Sequence, residues 1–146
     1  MNFSLSKIKK EKLINSLKKV GLYDSVEIKD EDDGTFTFIL EHGLGNELSI
    51  ILMPINDTIF NCIYYDLGNL DYIEKIEEVL KLFNTFNNES LMMKFTIDEH
   101  NNLLMAKITY IADDEEFNGD NYLMLVSEGS KLLRNNYYNK MMKVMW

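Results

Sequence analysis

The chain has 146 residues, of which 46% are hydrophobic and 12% aromatic, and its formal net charge at pH 7 is −9. A chain of this length and composition can bury its own hydrophobic core, so we expect a single α+β domain over residues 1–146 that needs no disulfide or metal for stability. An acidic surface repels a phosphate backbone, which argues against general nucleic-acid binding.

The basic residues are concentrated near the N-terminus. Residues 1–20 carry six lysines and one glutamate, so the other 126 residues must carry a net charge of −14. Leu13, Leu17 and Val20 form an apolar stripe at helical spacing, which predicts an amphipathic helix ended by Gly21 rather than a nucleic-acid or membrane patch. The lysines predicted on its solvated side are Lys7, Lys9, Lys10, Lys12, Lys18 and Lys19.

The single cysteine, Cys62, lies among apolar residues and is predicted to be a buried, inert thiol. The sequence shows no secretory h-region and no apolar run of about 18 residues. We therefore expect a cytoplasmic protein without a membrane span.

From Tyr23 to Leu67 the hydrophobic period is two, which predicts strands. Asp33-Gly34 between two such runs is a strong hairpin signal, and residues 41–46 form a second predicted turn. Four strands joined by short turns favour an antiparallel meander with helices packed on one face.

Residues 69–140 predict a helix, a two-stranded hairpin and a second helix. Between Tyr72 and Phe86 the apolar residues recur every three or four positions, and from Met93 to Tyr110 the period returns to two around a polar turn at 98–102. The predicted fold is therefore a single antiparallel sheet of about six strands with three helices, in the order α-β-β-β-β-α-β-β-α. Its predicted core includes Phe38, Ile50, Phe60, Phe83, Phe95 and Ile108.

Gly129 is an exception among the glycines, because it lies inside the last predicted helix. Glycine in a helix costs about 1 kcal/mol relative to alanine. We predict that its missing side chain lets this helix approach the sheet closely.

The last predicted strand and the C-terminus carry more apolar residues than one sheet contact requires. The strand face with Lys107 and Thr109 is too apolar to be fully solvated, and the Met-, Tyr- and Trp-rich tail suits docking on a client or on a second copy in a homodimer. The predicted partner-binding residues are Leu103, Met105 and Ile111 on the strand, and Tyr137, Tyr138, Met141, Met142, Val144, Met145 and Trp146 in the tail. The alternative is that the tail folds back and covers Leu103, Met105 and Ile111.

No catalytic, cofactor or metal residues are predicted. His42 and His100 both lie in predicted turns, where a solvated histidine is far more common than a catalytic base. The acidic cluster at 30–34 fails as a calcium loop, because Lys29 and Leu40 stand where the first aspartate and the bidentate glutamate belong. The cluster at 113–120 fails because Leu125 stands where the bidentate glutamate belongs, and Gly43-Leu44-Gly45 lacks the features of a phosphate loop.

Residues 82–88, LFNTFNN, followed by the strand and turn of residues 95–103, FTIDEHNNL, and then a final helix, resemble the YbjN family and the related type III secretion chaperone-like fold. The resemblance covers most of the chain. It implies an acidic, cytoplasmic, often dimeric domain that binds proteins as a chaperone or regulator and is not an enzyme.

Two functions are consistent with these features. The first is a protein-binding module that holds a client on apolar sheet or helix surface. The alternative is an acidic inhibitor or immunity-type protein, of the kind encoded by phages or mobile elements, that blocks a basic enzyme surface. Salt separates them, because charge steering weakens steeply with ionic strength and apolar binding does not.

Overall fold

The computed structural model describes residues 3–45, 47–69, 75–98 and 100–145, with the side chains of residues 3–5 left aside. Within these residues the elements are α1 (Phe3–Lys19), a 3-10 turn (Tyr23–Ser25), β1 (Val26–Asp30), β2 (Phe36–Leu44), β3 (Glu47–Ile55), β4 (Phe60–Asn69), α2 (Ile76–Glu89), β5 (Lys94–Asp98), β6 (Leu103–Ile111) and α3 (Gly119–Leu132). A π-helical turn (Leu133–Tyr137) and α4 (Tyr138–Met145) continue α3 with helical dihedrals, so these three segments form one long third helix.

The described strands form one antiparallel sheet in the order β1-β2-β3-β4-β6-β5. The first four strands are a meander, and β1 and β2 are joined across Gly34, whose φ is 86°. The hairpin formed by β5 and β6 joins the sheet through its second strand. β6 pairs with β4, and β5 lies at the edge of the sheet. The predicted α+β class, element order and antiparallel pairing are confirmed.

The helices lie on one face of the sheet, as predicted. Phe38 of β2 is opposite Met53 of β3, and Ile63 of β4 is opposite Ile108 of β6; all four side chains are buried beneath the helices. Of the predicted core residues, Phe38, Phe83, Phe95 and Ile108 are buried.

The prediction of a buried Ile50 and Phe60 is wrong. Both point to the opposite face: Ile50 is half-buried, and Phe60, paired with Ile111, is 52% exposed. The reason is that β3 and β4 carry apolar residues at both parities, so alternation could not say which set faces the helices. Asn61, the neighbour of Phe60, takes the buried position instead.

Lys9 holds α1 against one end of the sheet. Its side chain is 1% exposed, and its Nζ donates to the Asn61 Oδ1 at 3.0 Å and to the backbone oxygens of Asn56 and Thr58. Burial lowers the pKa of the Lys9 ammonium, partly offset by Asp114. The prediction that Lys9 is solvated is therefore wrong, because three neutral acceptors replace its water.

The edge strand β5 is covered by α2 and by the tail. The Asn87 side chain accepts from the Phe95 backbone N–H at 2.7 Å and donates to the Phe95 carbonyl at 3.0 Å. The Phe95 ring lies 4.9 Å from the rings of Phe86 and Tyr137. An edge whose backbone groups are paired in this way is protected from further strand addition.

Gly129 brings α3 close to the sheet, as predicted. A Cβ at this position would lie 2.7 Å from both the Tyr65 Cζ and the Ile108 Cδ1, closer than real Cβ contacts come. The Tyr65 hydroxyl donates to the Val126 carbonyl at 2.7 Å, which fixes the helix at this distance.

We expect Gly129→Ala to lower the free energy of unfolding by about 1–3 kcal/mol, because the methyl group must displace the Tyr65 ring or the helix. Urea denaturation measures the change. Gly43→Ala is the matched control, since a Cβ at Gly43 meets nothing within 4 Å, and it should change stability by less than about 0.5 kcal/mol. Equal stability of the two variants would contradict this account of α3 packing.

Candidate functional site

The face of the sheet away from the helices carries a row of side chains that crosses all six strands. In register these are Glu27, Ile39, Leu52, Tyr64, Lys107 and Lys94. We call this surface the open face; it also includes Leu48, Ile50, Phe60, Met105 and Ile111, which lie on the same side of their strands. Its centre is apolar, and both of its edges carry charges of both signs: Glu27 and Lys29 on β1, and Lys94 and Asp98 on β5.

Several apolar residues of the open face are unusually exposed. Leu48 is 74% exposed, Ile111 is 64% exposed and Phe60 is 52% exposed, whereas Ile39 and Tyr64 are half-buried between neighbouring strands. Within the part of the chain that the structure describes, no helix lies over them. Phe60 and Ile111 are paired at one end of the open face, Leu48 lies at the other end, and the half-buried Leu52 and Tyr64 lie between them. Apolar surface of this extent on one side of a sheet is typical of an interaction surface.

Three of the predicted partner-binding residues, Leu103, Met105 and Ile111, lie on this open face of β6. The described part of the tail does not cover them. Tyr137 packs 4.6 Å from Phe86, among the helices on the other side of the sheet. The predicted strand and tail residues therefore lie on opposite faces.

The predicted partner-binding residues of the tail differ in how far they are buried. Tyr137, Met141 and Met145 are buried in the chain's own core and cannot meet a partner in this fold. The half-exposed members are Tyr138, Met142 and Val144, and Trp146 lies outside the described residues. The tail helix carries apolar residues on more than one side, so its sequence does not show which side packs against the sheet.

The tail nevertheless reaches the end of the open face. Tyr138 packs on Gly45, where a Cβ would lie 3.3 Å from the Tyr138 Cδ1. Leu48, Ile50 and Tyr138 together line a cavity of about 280 Å³ at the end of the sheet where β2 turns into β3. Open-face and tail residues thus meet here.

His42 is not in a solvated turn, contrary to prediction. β2 continues to Leu44, and His42 points toward the helices, buried, with its Nδ1 2.8 Å from the Ser130 Oγ. Burial, together with the nearby Arg134 guanidinium, lowers the pKa of the His42 imidazole to about 4. The alternation of Phe38, Leu40, His42 and Leu44 would have placed it on the core side, had the strand been extended past Glu41.

His42 lines a cavity between the sheet and the helices. This cavity has a volume of about 600 Å³ and is bounded by the end of α1, by β2 and β3, and by α3. Its wall is mostly aliphatic, with a polar end formed by His42, Ser130 and Arg134. No spacing in the sequence indicated it, because His42 on β2 is 88 residues away from Ser130, although Ser130 and Arg134 are only four residues apart on the third helix.

Cys62 is half-buried rather than buried, because it points to the open face of β4. Its Sγ lies 3.8 Å from the Thr109 Oγ1. The acidic clusters contribute to turns: Asp33 accepts from the Thr35 backbone N–H at 3.0 Å, and Asp113 accepts from the Glu116 backbone N–H at 2.7 Å.

Among the described residues, no group of three or more His, Cys, Asp and Glu side chains is placed to hold a metal ion. None of the helices that the structure describes is long and apolar enough to cross a membrane.

Comparison with known proteins supports the fold. No family model matches the chain, and no curated protein matches it. The chain is similar to a chain in a solved structure, "Structure of the HopA1-SchA Chaperone-Effector Complex", with a TM-score of 0.55 and 12% sequence identity over 88% of this chain and 94% of that chain. At this identity the likeness concerns the fold alone. It confirms the chaperone-like fold that the sequence resemblance implied; membership of the YbjN family stays a prediction.

The low pKa of His42 predicts a pH-dependent stability. The unfolded imidazole titrates near 6.5 and the folded one near 4, so the unfolded state binds more protons between these values. Stability should therefore fall as the pH is lowered from 6.5 to 4. Urea unfolding at several pH values should show a shallower loss between pH 6.5 and 5 for His42→Leu than for the wild type. His100→Gln, which removes an exposed histidine, should keep the wild-type slope. Equal slopes for wild type and His42→Leu would refute the assignment.

Proposed function

We propose that the protein is a non-enzymatic binding module, chaperone- or regulator-like, that holds a protein client on the open face. The observation that carries this proposal is the side of a six-stranded sheet over which none of the described helices lies, with Leu48, Phe60 and Ile111 more than half exposed. The similarity in fold to a chain of a chaperone–effector complex supports it. Relation to the YbjN family and a cytoplasmic location belong to the same proposal.

The proposed contact is apolar at its centre. Phe60 and Ile111 are paired across β4 and β6, and they form an anchor of the kind that dominates binding energy at interfaces. Burying apolar surface yields about 25 cal/mol per Å², part of which offsets the entropy lost on association. A client segment that covers this anchor and the row through Leu52 would bury apolar surface on both partners.

Charge at the two edges of the open face selects the client further. Lys94 and Lys107 are paired on β5 and β6, and on β1 at the opposite edge Lys29 lies on the same side as Glu27. A client segment with an acidic residue over the lysine pair is favoured, and like charges there are disfavoured. At this lysine pair the open face is a poor match for the basic enzyme surface that the inhibitor alternative requires.

The client-binding proposal predicts a selective loss of binding in Phe60→Ser/Ile111→Ser. Loss of an anchor worth about 2 kcal/mol weakens binding roughly 30-fold. Partners are captured from the native cell by tagged protein at low and high salt, and the affinity of a captured partner is then measured by calorimetry.

The matched control is Leu80→Ser/Leu91→Ser, which removes two exposed apolar residues outside the open face. It should keep wild-type affinity. A partner that binds all three proteins equally would overturn the proposal. A partner whose binding disappears at high salt, and survives the open-face substitutions, would support the inhibitor alternative.

We also propose that the tail contributes to a homodimer through Tyr138, Met142 and Val144, its half-exposed apolar residues. Met142→Ser/Val144→Ser should shift the mass measured by light scattering from dimer to monomer, because both apolar contacts are removed. The control Asn139→Ser changes an exposed tail residue and should stay dimeric. A wild-type monomer at micromolar concentration would contradict this role of the tail.

A further inference from the structure

The cavity between the end of α1, the sheet and α3 is built like a small-molecule site. We call it the α1–α3 cavity. Its floor and walls are formed by Leu40 and Ile51 of the sheet and Leu123 and Val126 of α3, with the partly exposed Met124 at its rim. A volume of about 600 Å³ with mostly aliphatic walls is within the usual range for pockets that hold compact organic ligands.

One end of the cavity carries a cation without a counter-ion. Arg134 is the only arginine in the sequence. Its guanidinium donates to the Ser130 Oγ at 2.6 Å, and no carboxylate of the described residues lies within ion-pair distance of it. By contrast, Lys19 at the cavity wall is neutralised by Asp120 at 2.8 Å. Arg134 is exposed, so at this end of the cavity its cation is accessible to a carboxylate and is not engaged by an ion pair within the described residues.

His42 adds a second unused polar atom at the same end. The His42 Nδ1 lies 2.8 Å from the Ser130 Oγ, which also accepts from Arg134, and either neutral tautomer of the imidazole fits this contact. The Nε2 is buried and has no hydrogen-bond partner among the described residues. A buried ring nitrogen without a partner is costly, and native structures usually satisfy such groups.

We propose that the α1–α3 cavity binds an apolar monocarboxylate, with its carboxylate at Arg134 and its hydrocarbon along Leu40, Ile51 and Leu123. Arginine pairs with carboxylates through charge-assisted hydrogen bonds, and the aliphatic wall matches a hydrocarbon chain. A single unpaired cation suits one negative charge better than a dianion such as a phosphate monoester. The cavity lies on the helix side of the sheet, so ligand and client would occupy opposite faces.

The probes are octanoate, decanoate and decanol, titrated below their micelle concentrations by calorimetry. We expect decanoate to bind more tightly than octanoate by about fourfold for each added methylene. We expect decanol, which has the same chain without the charge, to bind more weakly than decanoate. The measurement needs no client, so its outcome is independent of the proposed client binding.

Arg134→Gln should weaken decanoate binding about tenfold or more and leave decanol binding unchanged. Lys131→Gln removes the same charge from an exposed lysine that pairs with Glu128 outside the cavity wall, and it should keep wild-type affinity. Decanoate binding that is equal in these two variants, or absent in the wild type, would overturn the proposal.

A second variant keeps the test independent of Arg134's part in folding. Ser127 is exposed on α3 and lines the cavity, so Ser127→Trp should fill the space without disturbing the core. We expect it to abolish decanoate binding while keeping the wild-type melting temperature within a few degrees. A folded Ser127→Trp variant that binds decanoate as the wild type does would place the ligand elsewhere and refute the assignment.

Discussion

The close approach of α3 to the sheet at Gly129 is the constraint on which much of the arrangement depends. Only a residue without a Cβ leaves room for the Tyr65 ring, whose hydroxyl then holds the Val126 carbonyl at 2.7 Å. Because Ser130 follows Gly129 directly, the same contact brings the Ser130 hydroxyl to His42. The spacing of the helix from the sheet thus positions the polar end of the α1–α3 cavity.

All the described helices pack on one side, and this makes the two faces of the sheet chemically different. The covered face is aliphatic and aromatic, and it is completed by the tail through Tyr137. The open face keeps apolar side chains that no described helix of this chain buries. Exposed apolar surface of this kind lowers solubility and is typical of interaction sites. This is why we propose the open face as the client-binding surface.

The chain is acidic, yet two of its cations do specific work inside the fold. Lys9 is buried with three neutral acceptors and ties α1 to the turn between β3 and β4. Arg134 donates to the neutral Ser130 hydroxyl as well, but it is exposed, whereas Lys9 is 1% exposed. This difference in burial explains why the first cation has a structural role and the second is accessible to a ligand.

The sequence alone determined the order and type of the elements, since hydrophobic periods of 3.6 and 2 and the Asp33-Gly34 turn are local signals. It also located Gly129, because a glycine inside an apolar helix needs a reason. Only the tertiary structure decided that Ile51 rather than Ile50 faces the helices on β3. It also decided that Asn61 rather than Phe60 faces them on β4. Where both parities of a strand are apolar, the face is set by register and by which side the helices cover. The burial of Lys9 against Asn61 and the meeting of His42 with Ser130 likewise depend on contacts between residues far apart in the chain, which no local pattern encodes.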